Sequence, residues 1–441
     1  GVNIIAGFTP DPANATPGEN FAYLSGTSMS TPHIAGAAAL LLQAHPEWSP
    51  AAIRSALITT ARQDVTLPGS LSVPNPFDYG GGHIVPNDAL TPGLVYDITD
   101  DEYDAFSCGI DSPAVTEERC DELAAAGRSF ESRDLNQPSI AVSRLASAET
   151  VTRHVTNPGD SAESYIVEIA PPPGILVTVD PPILSVGPGE QAAFDVTMQF
   201  ESGPLDLWRF GSYTWVGDEH SVRSNIAVKP KSISAPIEVS SVGGTGSETF
   251  SVEFGYDGSY SIGIHGLNTP EVTPGFVNRD PTKTFTRRAD SGVTEHAIFV
   301  DPDQLFVRFS LFDSETDGND DLDMYVFYCG IDGSFCTRVG ESGEDTSEEQ
   351  FNIFRPPAGI YGIYVHGFET DEVSGGPGSN YSLFSWQVGN VDDKGNMSAS
   401  GPAVVAAGTS GDVTIDWGSL LPDTIYTGVL SHITPQGLSE L

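Results

Sequence analysis

Ser25-Gly26-Thr27-Ser28-Met29-Ser30-Thr31-Pro32-His33-Ile34-Ala35-Gly36, followed at once by Ala37-Ala38-Ala39-Leu40-Leu41-Leu42, decides how the first part of the chain folds. Ile34, Ala37, Ala38, Leu41 and Leu42 recur at helical spacing, which predicts a helix over 28–44. Its small residues let neighbours pack closely on both sides, so the helix is expected to be almost wholly buried. Ser28 then stands at a helix N-terminus, where its backbone N–H has no intrahelical acceptor and the helix dipole favours negative charge. A serine hydroxyl used as a nucleophile needs a base to take its proton and fixed donors for the oxyanion that forms. Gly26 allows close approach of the loop to a bound chain, and the Thr27 hydroxyl is an accessory donor. On residues alone the stretch reads either as a plain helix cap or as the seat of a nucleophile.

Outward from this stretch, Ser49 followed by Pro50 marks the start of a second helix through Ile53, Ala56 and Leu57 to about residue 61. Gly1-Val2-Asn3-Ile4-Ile5 reads as a buried strand already under way, hence as a truncated start. Residues 93–134 carry Asp97, Asp100, Asp101, Glu102, Asp104, Glu117, Glu118, Asp121 and Glu122, and read as an acidic linker with a short helical pattern over 117–125, clipped by Cys108 and Cys120. Beyond 135 the texture changes to alternating runs between Pro and Gly punctuation, at 164–169, 176–179, 193–197 and 221–228, the pattern of a β-sandwich. The same texture recurs at 250–254, 260–264, 306–311, 324–328, 361–366, 381–386 and 413–417, so one or two further sandwiches are expected. The fold class is multidomain and mostly β, with an α/β piece at the start. Four segments follow: 1–92, 93–134, 135–230 and 231–441.

Lys+Arg number 19 against 60 Asp+Glu in 441 residues, a net charge of -41. Nucleic acid and anionic membranes are poor partners for such a surface. No apolar run reaches the ~20 residues of a membrane span. The four cysteines fall in two close pairs, Cys108 with Cys120 and Cys329 with Cys336, a spacing that suits disulfides in an oxidising compartment; four free buried thiols are the alternative.

Residues 26–36 closely resemble the nucleophile signature of the subtilases, the subtilisin-like serine peptidases, and the likeness continues through His45-Pro46 and Tyr79-Gly80-Gly81-Gly82. Pro92-Gly93-Leu94-Val95-Tyr96-Asp97, with Tyr103 and Cys108, is similar to the connection that leaves the peptidase domain in the plant, cucumisin-like group. Leu135-Asn136-Gln137-Pro138-Ser139-Ile140, Arg153-His154-Val155-Thr156-Asn157 and Gly211-Ser212-Tyr213-Thr214-Trp215 resemble the fibronectin-III-like domain of that group. The resemblance implies a C-terminal piece of a subtilisin-type α/β domain ahead of antiparallel β-sandwich domains. It implies a secreted serine endopeptidase acting on proteins or peptides, with Ser28 as nucleophile, Thr27 and Gly26 beside the oxyanion, Leu24 on the leaving-group side, and no cofactor for catalysis.

In that family an Asp, a His and an oxyanion Asn precede the serine in their own motifs, and none of the three motifs occurs here. His33 lies five positions along the helix, a rotation of about 140° from Ser28, and is expected to face the core. His83, His265 and His366 are expected to be strand or turn residues. The chain as given is therefore expected to be inactive; the rival reading is a non-enzymatic binding or adhesion protein with a peptidase remnant. Residues 231–390 resemble pre-peptidase C-terminal domains through Asp320-Asp321-Leu322-Asp323-Met324-Tyr325-Val326 and Gly359-Ile360-Tyr361-Gly362-Ile363-Tyr364-Val365. Some such modules bind calcium through the acidic stretch, which makes Asp320, Asp321 and Asp323 candidate ligands for a structural calcium ion. A plain acidic turn is the alternative.

Overall fold

The computed structural model describes residues 1–8, 20–66, 74–110, 112, 114–287, 292–370 and 378–441. They form two compact units, Gly1–Lys231 and Ser232–Leu441.

The first unit opens with β1 (Ile4–Gly7) paired antiparallel to β2 (Phe21–Leu24). Helix α1 (Thr27–Ala44) follows, then α2 (Pro50–Thr59), capped by Ser49, whose Oγ accepts from Ala52 N at 2.9 Å. Pro50 occupies the first turn, where its missing N–H leaves no acceptor unfilled. Ala37, Leu41, Trp48, Ala52, Ile53, Ala56 and Leu57 close a small core between the two helices.

Two expectations are corrected here. Only Ala37 and Leu41 of α1 are buried; Leu40 is 63% and Leu42 48% exposed. The helix is apolar nearly all round, but α2 and the turn Asp88–Leu90 cover one face, and burial follows neighbours as much as composition. Likewise β1 pairs with β2 on one edge and is not a buried strand, since Val2 and Ile5 are largely exposed.

A short helix α3 (Pro76–Tyr79) precedes α4 (Asp100–Gly109) and α5 (Glu117–Ala125), which form a hairpin joined by the Cys108–Cys120 disulfide. Thr99 and Glu102 form a capping box at the start of α4. Eight strands then build the sandwich: β3 (Ser139–Leu145), β4 (Glu149–Thr156), β5 (Glu163–Ala170), β6 (Ile175–Asp180), β7 (Ile183–Val186), β8 (Gln191–Phe200), β9 (Arg209–Val216) and β10 (Ser221–Pro230). One sheet has the order β3-β10-β9-β5-β7 and the other β4-β8-β6. Alternate residues such as Val151, Val155, Val196, Met198, Tyr213, Trp215 and Val222 fill the space between them.

The second unit contains two further sandwiches. One has the antiparallel sheets Glu271–Asn278, Gly378–Gly389, Gln304–Ser310, Gln350–Phe354 and Val293–Val300, Gly359–Glu369, Asp321–Tyr328, Thr337–Ser342, each in that order. Val307, Phe309, Leu322, Met324, Val326, Ile363, Val365 and Leu383 form its core. The other combines strands on both sides of it in sequence, among them Gly246–Phe254, Ser261–Asn268, Thr409–Trp417 and Thr427–Thr434, around Val252, Phe254, Tyr260 and Val413. A disulfide joins Cys329 and Cys336.

Candidate active site

Ser28 is the second residue of α1 and is exposed, as are Gly26 and Thr27; Leu24, at the end of β2, is half-buried. Gly26 is the N-cap with φ 158° and ψ 175°, and its carbonyl accepts from Met29 N at 3.2 Å. Among the described residues no side chain caps this end, and the first turn carries no acidic residue. Met29 N is occupied by the Gly26 carbonyl, while Gly26, Thr27 and Ser28 are exposed, and the start of a helix is suited to receiving a negative oxygen. Pro32 lies four residues after Ser28 and has no N–H, so the Ser28 carbonyl lacks the usual helical donor. The proline four residues after the serine is the sequence signal for this loosened first turn.

β1 and β2 brace the loop. Gly26 N donates to Gly1 O at 2.9 Å, and Asn3 N donates to Ser25 Oγ at 2.9 Å. His33, expected in the core, is exposed, and its Nδ1 lies 2.7 Å from the Met29 carbonyl. The face of α1 that carries it is exposed. Other histidines of the first unit are also engaged: His45 Nε2 with Leu90 O at 3.0 Å, His154 with Glu102 at 2.8 Å, and His220 with Glu163 at 2.6 Å. None of these contacts is to Ser28.

The stretch behind α2 is bound to the sandwich. Ser55 Oγ accepts from Tyr96 N at 2.9 Å, and Asn225 Nδ2 donates to Gly80 O at 3.0 Å. Asn136 Nδ2 donates to the carbonyl oxygens of Asp97 and His154 at 2.7 and 2.9 Å. Burial works against the charge of Glu102, but hydrogen bonds from His154 and Thr99 outweigh it and hold the carboxyl at about 2.

Asp320, Asp321 and Asp323 lie at the start of strand Asp321–Tyr328. The Asp323 carboxylate accepts from His366 Nδ1 at 3.1 Å and from the Tyr325 hydroxyl at 3.3 Å, while His366 Nε2 lies 2.9 Å from Asp280. Burial and the neighbouring charge of Asp323 push Asp321 up to about 6. Asp320 is buried, and its carbonyl accepts from Ser347 Oγ at 2.8 Å. Among the described residues no group of three or more His, Cys, Asp or Glu side chains stands close enough to hold a metal ion. His265 is buried on strand Ser261–Asn268 against Ser431, at 2.8 Å.

Residues 11–82 match the subtilase family and residues 134–228 the fibronectin type-III domain. Subtilisin-like protease SBT2.5 of Arabidopsis thaliana is 39% identical over 223 residues, covering 47% of this chain and 27% of that protein. Subtilisin-like protease SBT2.6 of the same plant is 40% identical over 219 residues, 45% of this chain and 26% of the relative. Subtilisin-like protease SBT5.4 is 40% identical over 249 residues, 52% of this chain and 31% of the relative. The chain thus spans about a quarter to a third of the length of the curated relatives it matches. Among the described residues no helix is long and apolar enough to cross a membrane.

Proposed function

From a chain that carries subtilase sequence over 11–82 and a fibronectin type-III domain over 134–228, we propose that it is the nucleophile-bearing part of a secreted serine endopeptidase. The observation that carries this reading is Ser28, exposed at an uncapped helix N-terminus inside the matched segment. In the complete enzyme a histidine outside these residues removes the Ser28 proton as Oγ attacks the scissile carbonyl. The backbone N–H of Ser28 and an asparagine side chain hold the oxyanion, with Thr27 as an accessory donor. An acyl-enzyme forms on Ser28 and the amine product leaves with a proton from the same histidine; water then releases the acid. Leu24 and Gly26 border the bound peptide.

The triad Asp and His and the oxyanion Asn belong, on this reading, to sequence preceding Gly1. Val2, Ile5, Phe21, Tyr23, Leu40 and Leu42 support it, because β1, β2 and α1 leave large apolar side chains exposed, as a piece of a larger α/β core does. Without its base the chain alone hydrolyses no peptide bond at a useful rate; in subtilisin, loss of the triad serine or histidine costs roughly a millionfold in kcat. The coding sequence upstream of Gly1 tests the proposal: it contains Asp, His and Asn motifs in that order. An intact gene without them would favour a non-enzymatic binding protein.

A further inference from the structure

The second unit holds a cleft of about 710 Å³ between its two sandwiches. Phe306 and Arg308 on strand Gln304–Ser310, with Phe354 on the neighbouring strand, form one wall. Phe250 and Trp417 on the other sandwich form the opposite wall. The size and aromatic lining are those of a ligand site and exceed a packing defect many times over.

Three features say what fits. The rim is apolar and uncovered: Ile237 is 69%, Leu421 66% and Ile425 45% exposed, whereas side chains of this size are ordinarily buried. The run 236–242 borders the cleft outside every sheet, all of its residues are exposed, and among the described residues its backbone is bonded to no neighbouring strand. Apart from Pro236, which has no N–H, such a run leaves N–H and C=O groups for an extended guest to bond, with side-chain pockets reading alternate positions of the guest. Finally, the charge is one-sided. Glu238, Glu248 and Asp423 line the cleft, and its one lining cation among the described residues, Arg308, is already bonded to Glu238 at 2.8 Å and to Asn352 at 2.8 Å.

We propose that this cleft binds an extended polypeptide segment of a partner protein, with alternating apolar side chains and flanking Lys or Arg residues. Backbone pairing along 236–242 gives the orientation, the aromatic walls take the apolar side chains, and Asp423 with Glu248 receives the basic ends. A chain of net charge -41 draws such a segment from solution over longer range. The activity needs neither Ser28 nor any triad residue, so it stands or falls apart from the peptidase reading.

The probe is a fluorescein-labelled nine-residue peptide alternating Val and Thr with Lys at each end, titrated with the 441-residue chain in ~150 mM salt and read by anisotropy. It binds saturably, and its counterpart with Glu in place of Lys binds at least about tenfold more weakly. Ile237→Ser with Leu421→Ser weakens binding about tenfold or more at unchanged Tm, as both side chains are surface-exposed. Asp423→Asn reduces the preference for the Lys peptide, and Val391→Ser, 93% exposed and not part of the cleft, changes nothing. N-methylation of alternate peptide amides abolishes binding. Equal binding of the Lys and Glu peptides, full binding by the Ile237→Ser, Leu421→Ser variant, absence of saturable binding, or displacement of the peptide by neutral oligosaccharide would each overturn the assignment.

Discussion

The phenol oxygen of Tyr96 lies 3.0 Å from that of Tyr213 in the core of the fibronectin type-III domain, and Ser224 Oγ donates to the Tyr96 oxygen from 2.9 Å. Both tyrosines are buried, and burial raises both phenols above their usual range. Tyr96 belongs to the connection that follows the subtilase segment, and its backbone N–H is held by Ser55 on α2. The connection is thus part of the domain's core, and the two matched segments are joined by packed side chains.

Removing that oxygen therefore weakens the whole first unit. Tyr96→Phe leaves the Tyr213 hydroxyl short of its partner and costs about 1–3 kcal/mol. For a unit of this size that lowers Tm by about 2–4 °C per kcal/mol. Tyr213→Phe costs less, because Ser224 still bonds Tyr96. Thermal melts of both single variants and the double variant check this; additive losses would show that the two hydroxyls are not coupled.

The strands of this domain were legible because Val151, Val155, Val196, Met198, Tyr213 and Trp215 alternate with exposed neighbours. Which strand pairs with which was not, since alternation fixes a face and leaves the partner open. Helix α4 is hidden by its acidity: Asp100, Asp101, Glu102 and Asp104 read as a solvated linker, though Thr99-x-x-Glu102 is a capping box already present in the sequence. That Ser28 stands at the start of a helix was legible from the apolar spacing that follows it. The exposure of α1 was not, because Leu40 and Leu42 record what the helix can bury and not what is there to bury it.

The hairpin of α4 and α5 depends on its disulfide. Cys108 and Cys120 close a loop of sequence separation 12, so Cys108→Ser with Cys120→Ser costs about 3 kcal/mol of hairpin stability. Arg119, bonded to Asp104 at 2.9 Å and Asp101 at 2.6 Å, is partly exposed and does not replace it. Trypsin then cuts at Arg119 in the variant or in reductant, and spares it in the oxidised chain. Equal cleavage rates would contradict this.

Glu349 makes the second unit sensitive to alkali. It is 1% exposed, and burial pushes its carboxyl up to about 7 against the opposing hydrogen bonds from Ser342 and Glu344 N. A carboxyl raised above its unfolded value binds its proton more tightly when folded, so stability is full below about 4.5 and falls as pH rises through 7. Glu349→Gln removes that loss and gains about 1–3 kcal/mol at pH 8 relative to the parent chain, with little change at pH 4. Denaturant melts at both pH values decide it; an equal effect at the two would rule out titration of Glu349 as the cause.

Calcium at millimolar concentration is expected to raise the Tm of the chain no more than magnesium at matched ionic strength, because Asp323 is bound to His366 and no group of three or more His, Cys, Asp or Glu side chains stands together among the described residues. A calcium-specific rise that disappears in Asp321→Ala with Asp323→Ala would show that these side chains rearrange around the ion.

The most direct test of the proposed function is chemical labelling of the enzyme to which, on that reading, this chain belongs. Treated with a fluorophosphonate and mapped by peptide mass spectrometry, the active enzyme carries the adduct on Ser28, and Ser28→Ala abolishes both labelling and proteolysis while leaving the fold intact. An adduct on a different serine, or unchanged proteolysis in Ser28→Ala, would contradict the assignment of Ser28 as the nucleophile.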